Sequence, residues 1–152
     1  MLRLFVLAAT LLALVLPGSV LAASAGADVA FDGGSVRERA QVRAALQTSS
    51  FDWTLVQQQT TVHIGSYGTS HSTPGHVWLD AGLLRTGKFA WATVMDEFVH
   101  QVDFFLLDEP RREILRQSLG AEAWCYEIPG LVHSAHGCER FASMVAWAYW
   151  PS

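Results

Sequence analysis

The sequence predicts an α+β domain, on three observations. Apolar residues recur at helical spacing through positions 91, 94, 95, 98, 102 and 105, two short β-branched stretches precede them, and another apolar helix follows near the end. A chain of 152 residues suits a single hydrophobic core.

Residues 1–22, MLRLFVLAATLLALVLPGSVLA, place one basic residue, Arg3, before an apolar run from Leu4 to Leu16, then Pro17-Gly18 and small residues. This is the layout of a secretory signal peptide, with Val20-x-Ala22 as its cleavage site, and a secreted, extracellular protein is expected. The run of about 13 apolar residues falls short of the ~20 that a spanning helix needs, so no stable membrane insertion is expected once it is removed. Residues 23–34 read as a flexible lead-in, and the folded domain is expected over 35–152.

Ser35 stands three residues before Glu38, the spacing of a capping box, which predicts a helix from about Val36 to Leu46. Its expected inner face is Val36, Ala40, the stems of Val42 and Arg43, and Leu46. TTVHIG (60–65) and HVWLD (76–80) alternate as strands do, and SYGTSHSTPG between them is a loop rich in Ser, Thr and Gly. Strands so close in sequence predict a hairpin or small antiparallel sheet. From Phe89 the helical stripe takes over. Asp108 and Pro110 mark a further helix start and Gly120 its stop, Trp124 to Gly137 is irregular, and a last helix is expected from about Cys138 to Trp150.

The net charge is −4, about −5 without Arg3, and the basic residues are scattered, so a nucleic-acid groove is not expected. Cys125 and Cys138, in a chain read as secreted, predict one disulfide, worth about 3 kcal/mol for a loop of this length. A Cys/His zinc cluster with His133 and His136 is the competing reading. His63, His71 and His76 read as solvated or locally hydrogen-bonded side chains. Trp91, Trp147 and Trp150 are expected in the core, and Trp78 could line a groove at a sheet edge.

The chemistry concentrates in VMDEFVHQVDFF, Val94 to Phe105. Residues four apart share a helix face, so Asp96 and His100 can hold one ion while Glu97 points toward a water on it. Asp103 returns to within about 20° of Asp96 on the same wheel. Downstream, CERFASMVAWAYW adds Glu139.

DEFVHQVDFF followed by CERFASMVAWAYW resembles the small gluzincin zinc metallopeptidases of the anthrax-lethal-factor-like kind, whose active helix reads H-E-F-x-H-x-x-D and whose third ligand is a glutamate on a later helix. The resemblance spans about Thr60 to Trp150 and implies a zincin-like fold with a Zn²⁺ ion held by Asp96, His100 and Glu139. It also implies Glu97 as general base, Asp103 as the residue that orients a ligand histidine, and HVWLD as the sheet edge beside which a peptide or protein substrate lies. The family's first ligand histidine is replaced here by Asp96. A carboxylate still binds zinc, at about 2.0–2.2 Å, but two negative ligands weaken the ion's power to acidify water and favour harder ions such as manganese or calcium.

An oxyanion-stabilising group is expected among Tyr126, His133 and His136, His133 first, and His136 could also replace the missing ligand. The expected function is metal-dependent peptide hydrolysis by a monomer. The alternative is a catalytically inactive descendant acting as an extracellular binding or structural module.

Overall fold

The computed structural model describes residues 27–126 and 128–150, so the expected signal peptide and its cleavage site lie outside the described residues. The α+β class holds, built on a four-stranded sheet in the order β1-β2-β4-β3. The strands are β1 (Val29–Gly33), β2 (Thr60–Gly65), β3 (His71–Thr73) and β4 (His76–Asp80). The helices are α1 (Val36–Thr48), the short α2 (Ala81–Leu84), α3 (Trp91–Leu106), α4 (Glu109–Ser118) and α5 (Gly137–Ala148). Among the described residues no helix is long and apolar enough to cross a membrane.

Two expectations are corrected here. The lead-in is not flexible throughout, because Val29–Gly33 forms β1, parallel to β2 through the α1 crossover. The sheet is mixed, not antiparallel: β2 and β4 run parallel, and β3 between them in sequence turns back as the edge strand against β4. Strand β4 is therefore interior, and the edge expected at HVWLD is His71–Thr73.

The capping box of α1 forms as expected, with Glu38 N–H donating to Ser35 Oγ at 3.3 Å and Ser35 N–H to Glu38 Oε2 at 2.8 Å. The buried face of α1 is rotated from the one expected. Val42, Ala45 and Leu46 point inward, whereas Val36 is 87% exposed and Ala40 lies outside, because the buried residue of the first turn is Glu38, which reaches Arg85.

Val62, Ile64, Val77 and Leu79 turn the inner sheet face onto Val94, Met95, Phe98 and Val102 of α3, which makes the core. Trp53 and Trp124 are buried. Trp91 and Trp150 only flank the core and Trp147 is 69% exposed, so the tryptophans of the last helix are less internal than its periodicity predicts. Gln101 locks the hairpin to α3, accepting from Gly75 N–H at 2.8 Å and donating to the carbonyls of Thr73 and His76. Asp108 caps α4, and Gly120 beyond its end takes a φ of 63°, a left-handed conformation that glycine adopts without steric cost.

Candidate metal and peptide-cleft site

Helices α3 and α5 pack side by side, and their polar residues meet over a cleft of about 600 Å³. On α3, Asp96 Oδ2 stands 4.0 Å from His100 Nε2, one turn apart. Glu139, in the first turn of α5, brings Oε2 to 3.4 Å from the same nitrogen. Asp96, one turn from His100 on α3, and Glu139, from α5, thus both approach one imidazole nitrogen, and the tight group within 4.8 Å is His100 and Glu139 with Cys138. The carboxylate of Glu97 opens onto the same cleft and accepts from Ser72 Oγ of β3 at 2.7 Å.

Burial governs the charges. It pushes the Glu97 carboxyl up to about 7, against the opposing bond from Ser72. It also raises Asp96, although Ser143 Oγ donates to Asp96 Oδ1 at 3.0 Å. Burial disfavours charged His100 as well, but contact with Glu139 and the nearby carboxylates outweigh it, and its pKa is raised. For Glu139 burial acts upward and the partners His100 and Tyr126 act downward more strongly, so its carboxyl is held below the usual range.

Tyr126 and His133 reach this centre from the irregular segment. Tyr126 Oη donates to Glu139 Oε1 at 2.8 Å and lies 3.1 Å from His133 Nδ1, while His133 Nε2 lies 3.1 Å from Glu139 Oε2. Burial and the neighbouring Glu139 push the Tyr126 phenol up to about 12. Tyr126 has a φ of 55°, unusual for a side chain of its size.

The Cys125–Cys138 disulfide forms. His100 Nε2, Cys138 Sγ and a Glu139 oxygen lie within 4.8 Å of one another, but Cys138 is tied up in that bridge and offers no thiolate, which removes the Cys/His cluster as a ligand set.

Two expected roles change. Asp103 does not orient a ligand histidine: its carboxylate accepts from Arg112 Nε at 2.8 Å and from Trp124 Nε1 at 3.2 Å. The cause is the turn into α4, which carries Arg112 back against α3. His136 does not replace a ligand or face an oxyanion. It is buried with Nδ1 accepting from Tyr126 N–H at 3.1 Å and Nε2 without a hydrogen-bond partner, so it supports the Tyr126 backbone instead.

Ser72 and Ser143 are site residues that sequence reading missed. Their contacts run across elements, and the one local hint is the Ser/Thr richness of residues 66–73. A smaller hollow of about 190 Å³ opens on the other side of Asp96, between Ala92, Ser143, Trp147 and Trp150. The chain matches no protein-family model, no curated protein and no solved structure, and its cleft is read from its own residues alone.

Proposed function

We propose that this chain is a secreted metal-dependent peptidase with a zincin-like fold, and that Asp96, His100 and Glu139 hold its ion. The observation that carries the proposal is the convergence of these three donors at the base of a cleft that also contains Glu97. One imidazole and two carboxylates form a donor set that zinc accepts. Three acids meet at one histidine in a largely buried place, and burial raises the carboxyls of Asp96 and Glu97, a penalty on their charged forms that a divalent cation would offset.

A zinc ion bound there supplies Lewis-acid polarisation of a carbonyl and acidification of a water. The chain's own residues supply the rest. Glu97 takes the proton of the attacking water and passes it to the leaving nitrogen, the task of a general base with a pKa near the working pH. His133, at the cleft rim with its side chain 71% exposed, and Tyr126 beside it are placed to donate to the oxyanion once they leave Glu139. The free edge of β3, whose Ser72 holds Glu97, offers backbone groups to an extended peptide.

A second reading is a non-catalytic binding module. It is favoured by the partners Glu139 already has in His100, His133 and Tyr126, a network that can persist without an ion. Elemental analysis of the purified chain separates the two. About one zinc per chain, lost in Glu139→Ala and accompanied by chelator-sensitive stability, supports the peptidase. Absence of bound metal together with indifference to chelator overturns it and leaves the binding module.

A further inference from the structure

The outer face of the sheet carries a second assembly of histidines, remote from Glu97 in function and built by strand register. Asp32 of β1 is the register partner of His63 on β2, His63 that of Trp78 on β4, and Trp78 that of His71 on β3. These four residues form one row across the sheet. His76 sits two residues before Trp78 on β4, so it shares the same face.

The row holds His63 in place. Its ring stacks on the Trp78 indole at 4.8 Å and 13°, and its Nδ1 lies 2.9 Å from Asp32 Oδ2. Only a protonated Nδ1 can donate to that carboxylate, which leaves the lone pair of a neutral His63 on Nε2. That Nε2 lies 3.0 Å from His76 Nδ1. His71 stacks against the same indole at 4.8 Å and 4°, with Trp78 between it and His63.

We propose that His63 Nε2 and His76 Nδ1 chelate a divalent transition-metal ion, copper(II) foremost, with Asp32 fixing the tautomer and orientation of His63. Two nitrogens each about 2.05 Å from one ion stand about 2.9 Å apart at a right angle and about 3.3 Å apart at the tetrahedral angle. The 3.0 Å separation falls within this range, and copper(II) heads the affinity order for nitrogen sites. Without an ion, the short contact is a hydrogen bond in which His76 Nδ1–H donates to His63 Nε2. Binding moves that proton to His76 Nε2 through solvent, so both rings stay neutral and no net proton is lost. His76 is exposed, with ring contacts to His63 and Trp78, while His63 is the half of the pair fixed by Asp32 and the indole. A carboxylate bonded to the far nitrogen of a ligand histidine is the usual support of a metal site, and losing it weakens affinity about 10–100-fold.

The test is titration of the full chain with Cu²⁺, read by calorimetry and by electron paramagnetic resonance. In a chain carrying His100→Ala and Glu139→Ala, which removes donors of the site between α3 and α5, one equivalent with nitrogen hyperfine structure is expected, lost on adding His63→Ala or His76→Ala, retained on adding His71→Ala, and weakened about 10–100-fold on adding Asp32→Asn. Binding in that background separates this site from the one between α3 and α5. In the unaltered chain, Cu²⁺ should broaden the ring-proton resonances of both His63 and His76, a reading that depends on no variant. Copper binding that survives His63→Ala/His76→Ala in that background, or an absence of broadening at His63 and His76 in the unaltered chain, overturns the proposal.

Discussion

His100 Nε2 lies 3.4 Å from Glu139 Oε2, across the seam between α3 and α5. The contact ties the middle of one helix to the first turn of another. Anything that shifts the start of α5 therefore acts on the whole cluster. Gly137 stands at that start, and a Cβ there would come within 2.7 Å of the Trp124 ring.

Replacing Glu97 with Gln removes the proton acceptor and leaves the donor set intact. Hydrolysis of a peptide library should fall by about 10²–10⁴-fold with zinc content unchanged. Equal turnover by the variant and the parent would rule out Glu97 as the base.

Reducing the disulfide should have two effects. Stability in urea should fall by about 3 kcal/mol, from the loop closed between Cys125 and Cys138. Cys138 Sγ, released 3.8 Å from Glu139 Oε1, should then join the donor group. With Co²⁺ as the added ion, the reduced protein should show thiolate-to-cobalt absorption and the oxidised protein should not.

Asp103 is a structural residue on this geometry, buried between Arg112 and Trp124. Asp103→Ala should cost about 3 kcal/mol, because the Arg112 Nε–H and the Trp124 indole N–H both lose their acceptor. The loss should be equal with and without chelator. A loss confined to the metal-bound protein would return Asp103 to a ligand-orienting role.

Glu38 sets part of the acid limit of stability. The Ser35 backbone and hydroxyl, then Arg85, hold its carboxyl below the ordinary value of 4.5. The folded chain therefore binds its proton less readily than the unfolded chain. The resulting stabilisation is complete above about pH 4.5 and is lost as pH falls through the lower folded value. Glu38→Gln should flatten this limb in chemical unfolding measured between neutral and acid pH. Ser35→Ala should also lower stability at neutral pH by about 1 kcal/mol.

Local signals in the sequence were reliable where the physics is local. The Ser35/Glu38 box, the Asp108 cap and the stripe of α3 each depend on residues three or four apart, and each forms. The α+β class and the pairing of Cys125 with Cys138 were also legible. Strand direction was not, since the parallel pairing of β2 with β4 goes with the insertion of β3, which turns back against β4, a relation between strands that the alternation within each does not carry. The same distance effect misassigned Asp103: its helical-wheel position suggested a ligand partner, whereas Arg112 of α4 and Trp124 take its oxygens. The His63–His76 pair was illegible for a related reason, because only sheet register places those rings together.

The bridge between Cys125 and Cys138 closes the segment that carries Tyr126 and His133 at both of its feet. One foot is buried at the base of α5, next to Glu139, and the exposed stretch through Pro129, Gly130 and Val132 lies between the feet. Glu139 is held from outside that stretch, by His100 of α3 and by the bridge at Cys138 beside it. Residues 128–132, exposed or half-exposed and outside the contacts that hold Glu139, are therefore a surface arch that the bridge anchors from below.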